Sequence, residues 1–574
     1  MSRSRHADPA RWRREFPLLS QRLDGQPLIY LDNAATTQKP RQVIDAVSRF
    51  YTHTNANVHR ASHTLSARAT HAFEEARLSV AQWLGVADPA CLIWTRGTTE
   101  AINLVAQSWG RSQLRAGDLI LLQQSNHHAN IVPWQMVAAA VGARIEVIPL
   151  QPDGDLDLAA YRNLLQQGPR LIALSHVSNA LGTRYPIESL CRLGREAGAT
   201  LLVDGAQALP HFEVDLSRLG CDFYAFSGHK LFAPCGIGAL WGRRELLDAM
   251  PPWQGGGEMI REVSFSTTRY ADPPFRFEAG TPNIGGAIGL AAAIHYLRQQ
   301  DRRAMAAHEQ ALLQRARECC APLRGFRELP AGAERISLLS FELEGFHQQD
   351  VAHWLDRHGI AVRAGHHCAM PLMQALGVPG TLRASFAFYN RLEEAEQLAH
   401  CLDRLIQSQN SRVSLTRGET NDLPALLAAV YAASDWNGRY QALMRLGQNL
   451  PGLPAPLKQE RYRLHGCESR VWLVPALDQQ GRLACRADAD ARILRALLAL
   501  LLEHVNGLAP SELLQTDLTD LLDRLEIRRH LSPSRGNGVM AIIRAIEAFA
   551  RDRNGQSHRP VSPGSVSWSH DESK

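Results

Sequence analysis

The chain is 574 residues long and 45% apolar, enough for two or three domains with a core each. Its 62 basic and 57 acidic residues nearly balance and form no like-charged block, which argues against a nucleic-acid stripe or a polybasic membrane anchor. Ten cysteines are too sparse for a disulfide framework, and no run of about 18 apolar residues exists to span a bilayer, so a cytoplasmic, reducing setting is expected.

Residues 1–25 form an N-terminal segment whose start, MSRSRHADPARWRREF, has no apolar run behind its basic residues and so does not read as a secretory signal. From 26 to 265, short apolar runs rich in β-formers alternate with amphipathic stretches: residues 92–94, 118–122, 144–150, 171–177, 200–206 and 222–227. That alternation predicts an α/β sheet with covering helices, and in such sheets ligands bind where strands end. Residues 266–407 turn to longer helical patterns and read as a smaller α+β domain. The polar stretch 408–421 reads as a flexible linker, 422–551 as a further globular domain, and 552–574 as a disordered tail. No CxxC pair or Cys/His ladder suggests a metal, and His366, His367 and Cys368 are adjacent rather than spaced as ligands, so no metal is expected.

Three post-strand groups carry chemistry. Thr95-Arg96-Gly97-Thr98-Thr99-Glu100 precedes a helical run, so its N–H groups and hydroxyls suit a phosphate; read alone, it is equally an ordinary helix cap. Asp204 and Gln207 in VDGAQ follow the next group of strands. A carboxylate there can hold a pyridine nitrogen protonated and Gln207 can reach a phenolic oxygen, although an isolated DGAQ turn is more often a surface loop. Lys230 ends the apolar run 222–227 plus Gly-His-Lys, where desolvation lowers an amine's pKa toward Schiff-base chemistry; a lone lysine there would more often snorkel to solvent.

Taken together, SGHK (227–230), VDGAQ (203–207), RGTTEAINLVA (96–106), NHHANIVPWQ (126–135) and FEAGTPN (277–283) resemble the fold-type I pyridoxal-phosphate enzymes of the cysteine desulfurase family, over roughly residues 10–405. RAGHHCA (363–369) is similar to the short cysteine loop of the SufS/CsdA type. The resemblance implies a large, mostly parallel sheet domain with a small α+β domain. It implies Lys230 as the Schiff-base lysine and proton carrier, His127 stacked on the ring, and Asn179 beside ring and substrate. It also implies Thr98, Thr99, Ser227 and His229 on the phosphate, and Thr281 on that of a neighbouring subunit in a homodimer. Arg383 would clamp the carboxylate of L-cysteine, with Arg363 nearby, and Cys368 would take the sulfur as a persulfide, leaving alanine.

Residues around Cys368 depart from the family in small ways: Met370 and Cys235 stand where polar residues are common, and Asn126 where Glu is frequent. Arg363, His366 and His367 are expected to favour the Cys368 thiolate. The domain at 422–551 resembles the SufE/CsdE sulfur acceptors through GCESRVWL (466–473), with Cys467 as its thiol and Glu468 in place of a common Gln. A flexible linker of about 14 residues spans roughly 20 Å and gives an effective concentration on the order of millimolar, which favours a relay from Cys368 to Cys467 and onward to an iron–sulfur scaffold or other acceptor protein. Two readings stay open beside this one: a selenocysteine lyase or cysteine sulfinate desulfinase with the same cofactor, and a scaffold whose cofactor domain has decayed.

Overall fold

The computed structural model describes residues 8–23, 25–415, 423–434, 436–464, 469–531 and 533–554. The chain divides into two compact units, Met1–Val413 and Ser414–Lys574. Among the described residues no helix is long and apolar enough to cross a membrane.

The first unit is built on a seven-stranded sheet. A short strand β1 (Ile29–Tyr30) precedes it in the chain; its members are β2 (Leu92–Thr95), β3 (Leu119–Gln123), β4 (Arg144–Ile148), β5 (Leu171–Ser175), β6 (Thr200–Asp204), β7 (Phe223–Ser227) and β8 (Gly238–Gly242), in the spatial order β2-β8-β7-β6-β5-β3-β4. β3 to β7 pair in parallel, and β8 runs antiparallel to both β7 and β2. β2 therefore points the same way as β7, and all the strands that matter below end at one edge. Every residue of β2, β3, β5 and β7 is buried, as expected where helices cover both faces and the strands read as continuous apolar runs.

A second sheet, antiparallel and ordered β9-β10-β13-β12, is formed by β9 (Phe326–Glu328), β10 (Leu338–Leu343), β12 (Arg363–Gly365) and β13 (Thr381–Ser385), while β11 (Ile360–Ala361) pairs in parallel with β1. Residues beyond 265 still join the core of the large sheet. The helix Ile284–Arg298 has ten buried residues in the core of the large sheet, because its GGAIGLAAAI run is small enough to pack closely on helices Arg41–Arg49 and Thr64–Trp83. The N-terminal segment is likewise part of that core: Phe16 packs against Phe232, Tyr296, Phe388 and Tyr389, and Trp12 against Phe388.

Of the stretch 408–421 expected to be a flexible linker, residues 408–415 are helical, while 416–421 and the tail from 555 lie outside the described residues. Helix Leu392–Leu415 runs through 408–415, since neither glycine nor proline interrupts the chain before Gly418 and Leu398, Leu402 and Leu405 anchor the helix in the small domain. In the second unit a three-stranded antiparallel sheet (Arg463–Leu464, Val471–Val474, Arg486–Ala489) packs with helix Arg492–Val505, ten of whose residues are buried. The helix Pro533–Asn554 closes that core through Val539, Ile542, Ile543 and Ile546.

Candidate active site

A cavity of about 190 Å³ opens at the carboxyl edge of the large sheet, and residues far apart in the chain line it: Thr98 and Thr99, His127, Asn179, Asp204 with Gln207, Ser227 to Lys230, and Arg363, Cys368 and Arg383. Lys230 follows β7 in a single 3-10 turn, Gly228–Lys230, so its amine enters the cavity from the strand end. Burial lowers the Lys230 amine to about 8, helped by Arg383 and Arg363 and opposed by Asp204. Asp204 ends β6 and is 8% exposed; one carboxylate oxygen accepts the N–H of Ala206 at 3.0 Å, and burial still raises its pKa.

His127 stands at the cap of a turn after β3, where its Nδ1 accepts the N–H of Ala129 at 3.0 Å. Burial and then the Lys230 charge push its pKa down to about 3, so the ring is neutral and carries its proton on Nε2. Asn126, in the position where Glu is frequent, bonds the carbonyls of Asn130 and Ala173 and accepts from Ser175 Oγ, and in this way holds the loop that presents His127. Gln207 Nε2 donates to the carbonyl of Ala34 at 2.7 Å, which ties its amide to the loop after β1.

Gly97 caps the helix Thr98–Val105 with φ 151°, and a Cβ there would lie 3.0 Å from Ser227 Oγ; only glycine suits both the dihedral and the approach. Ser227 Oγ in turn accepts the Thr98 N–H at 2.9 Å and meets Thr98 Oγ1 at 2.7 Å. Two strand ends and a helix N-terminus thus form one hydroxyl-rich cradle. His229 beside it is held neutral, down to about 4, by burial and by Lys230 and Lys39.

On the opposite wall, Arg363 and Arg383 face each other across the register of β12 and β13. Arg383 is 2% exposed; its Nη1 donates to the Asn179 carbonyl at 2.8 Å and its Nη2 to Asp32 at 3.0 Å. Its Nε is buried with no hydrogen-bond partner among the described residues, as is Asn179 Oδ1. Two facing guanidiniums with a donor unspent are suited to an incoming carboxylate. Cys368 is half-buried and lines the cavity with them. His367, expected to favour its thiolate, is held neutral: burial first, then Arg383 and Arg363, push its pKa far down, so positive charge near the thiol comes from the arginines and not from that ring.

These residues fit pyridoxal phosphate. The buried Asp204 carboxylate feels Lys230 but forms no ion pair among the described residues, and it would suit a protonated ring nitrogen; the hydroxyl cradle would suit the phosphate, and the partly desolvated Lys230 an aldehyde. Thr281 is exposed and does not line the cavity. Cys235 is exposed and outside it, and Met370 is exposed at the start of helix Met370–Ala375. Cys467 and Glu468 lie outside the described residues; the strands on either side of them in the chain pair antiparallel, Leu464 opposite Val471.

Sequence reasoning passed over the loop after β1. Ala34 and Ala35 line the cavity, Asp32 holds Arg383, and Thr36 and Thr37 both donate to the His229 carbonyl. The run LDNAATT, small and polar directly after a β-rich IY, was the signal. Ser175 and Val177, at the end of β5, were passed over for the same reason: each is unremarkable by type.

The family profile described as aminotransferase class-V matches residues 29–398, and that of the SufE, or Fe-S metabolism associated, domain matches 424–550. A probable cysteine desulfurase of Vibrio cholerae is 51% identical over 394 residues, 69% of this chain and 97% of its own length. A probable cysteine desulfurase of Mycolicibacterium paratuberculosis is 48% identical over 70% of this chain, and the match spans 58% of that longer protein. Among solved structures, the cysteine desulfurase CsdA of Escherichia coli superposes with a TM-score of 0.65 at 42% identity, covering 70% of this chain and 98% of that one.

Proposed function

Because the chain belongs to the cysteine desulfurases of the class-V aminotransferase family, which depend on pyridoxal phosphate, and carries a SufE domain behind that enzyme, we propose that it moves sulfur from L-cysteine to Cys368 and then to Cys467. The observation that carries this reading is the meeting of Lys230, Asp204, His127, Arg383 and Cys368, drawn from both sheets, around one small cavity.

Pyridoxal phosphate, when bound, supplies an electron sink conjugated to the substrate's α-carbon. Lys230 would hold it, and an amine that burial has brought to about 8 is suited to moving the proton at the substrate α-carbon. Asp204 would keep the ring nitrogen cationic, Gln207 and Asn179 would stand by its substituents, and Thr98, Thr99, Ser227 and His229 would take the phosphate. The neutral His127, which lines the cavity and whose Nδ1 is spent on the Ala129 N–H, would stack on the ring with its proton on Nε2. Arg383, whose Nε is unspent, and Arg363 orient the substrate carboxylate. Cys368 Sγ then bonds to the substrate sulfur as the Cβ–S bond breaks. The carbon fragment takes protons at Cα and Cβ and leaves as L-alanine, so cysteine plus thiol becomes alanine plus persulfide.

Cys467 restores the Cys368 thiol by attacking the outer sulfur of that persulfide, which leaves the persulfide on the second domain for an acceptor protein such as an iron–sulfur scaffold. Thr281, exposed before helix Ile284–Arg298, is assigned to the phosphate of a second copy in a homodimer. Replacing Cys368 by Ala tests the assignment: the purified variant stays yellow while alanine release from L-cysteine falls by about a thousandfold or more. Undiminished alanine release would remove Cys368 from the reaction.

A further inference from the structure

Cys368 lies on a turn that side chains disfavour: His367 and Cys368 have φ of 52° and 55°, two successive residues with a Cβ in the left-handed region. Two of the contacts that hold this turn come from the loop after β3. The His128 backbone N–H donates to the Cys368 carbonyl at 2.8 Å, and the Met370 N–H donates to the His128 ring at Nε2, 3.0 Å away. Met370 opens the helix Met370–Ala375, so its N–H has no acceptor within the helix. On the near side the Cys368 N–H is taken by His366 Nδ1 at 3.0 Å, and the rings of His366 and His128 lie 5.6 Å apart. Behind, the His367 carbonyl accepts from Asn179 Nδ2 at 2.7 Å.

We propose that His128 is a positioning residue for the nucleophile: it clasps the turn bearing Cys368 through an acceptor nitrogen and a backbone donor, and opening that clasp lets the thiol leave the cavity. The inference rests on Cys368 as the sulfur carrier, which must face Lys230 to be loaded and face outward to be unloaded. His128 does not line the cavity and takes no part in the chemistry assigned above. Its Nε2 accepts the Met370 N–H only while the ring is neutral with its proton on Nδ1, and burial together with His366 lowers its pKa. The ring half of the clasp is a switchable contact between the large domain and the cysteine turn, because it depends on one lone pair, while the backbone half from the His128 N–H to the Cys368 carbonyl does not.

The test measures alkylation of Cys368 by iodoacetamide in the purified holoprotein, resolved by site in a mass spectrometer, with the exposed Cys235 as internal reference. His128→Ala is expected to raise the Cys368 rate relative to Cys235 by about two- to tenfold, the weight of one such hydrogen bond. His128→Gln, whose amide oxygen can accept the same N–H, should return it toward the parent value; alanine production should show a lower kcat in the Ala variant with KM for L-cysteine unchanged. An unchanged ratio in His128→Ala, or a Gln variant as reactive as Ala, overturns the clasp. If His128→Ala loses its cofactor colour, the Gln variant against the parent carries the comparison: a several-fold rise in reactivity with the acceptor kept would contradict the proposal, and parent-like reactivity supports it. A parent that forms no persulfide on Cys368 overturns the function reading instead, since alkylation needs no turnover.

Discussion

Lys230 and Asp204 show how burial tunes two groups in opposite directions within one cavity. Desolvation lowers the amine to about 8 and raises the acid, and each partly restrains the other. The amine captures an aldehyde only when deprotonated, so reconstitution of the apoprotein with pyridoxal phosphate should speed up about tenfold per pH unit below about 8 and level off above it. A visible-absorbance time course at a series of pH values checks this, and a rate that keeps climbing to pH 10 would contradict the lowered amine. Arg383 offers a second test. Lys cannot reproduce a planar fork, so Arg383→Lys should raise KM for L-cysteine by about ten- to a hundredfold, with kcat affected less, in steady-state assays of alanine release. At this scale the residues with distinctive chemistry, Lys230, Asp204, His127 and Cys368, stood out in the sequence. Asp32, Ala34 and Val177 did not, because they act through backbone carbonyls, small size or an ion pair to a residue more than 300 positions away.

The strands place those residues, and the pattern of apolar runs foretold the large sheet well because parallel strands buried on both faces leave an unmistakable composition. The pattern served less well where packing decides: helix Ile284–Arg298 follows the texture of the small domain yet belongs to the large core, and helix Leu392–Leu415 runs into a stretch that is polar by composition. One element-level contact ties the FEAGTPN segment to the sheet. Glu278 accepts both Nη groups of Arg77, at 2.7 and 2.9 Å, and the N–H of Trp94 at 2.6 Å, with all three buried. Glu278→Ala leaves that guanidinium buried with Glu74 as its remaining acid and should destabilise the first unit by about 3 kcal/mol. Urea unfolding followed through the cofactor's absorbance reads the loss; a shift under about 0.5 kcal/mol would mean the pair contributes little. Gly97→Ala belongs to the same scale: with φ 151° and Ser227 Oγ 3.0 Å from the new methyl, pyridoxal phosphate affinity should fall by about tenfold in equilibrium dialysis.

At the scale of the molecule, a desulfurase unit and a SufE unit share one chain, each with a core of its own. If the second thiol is the acceptor, as proposed, fusion sets its effective concentration by covalent linkage and not by expression level. The sequence made this organisation readable through two independent sets of motifs; the reach of helix Leu392–Leu415 into the polar stretch was not readable, because polar residues extend a helix as readily as they form a loop when no breaker intervenes. The relay from Cys368 to Cys467 is the central claim. It is tested most directly by quenching the holoprotein at intervals after adding L-cysteine, without reductant, and locating the extra sulfur by peptide mass spectrometry. The account predicts an added sulfur on Cys368 first and on Cys467 after it, with Cys467→Ser retaining only the first and stalling alanine release after about one turnover. Sulfur that reaches Cys467 at the same rate in Cys368→Ala, or never reaches it in the parent, would contradict the account.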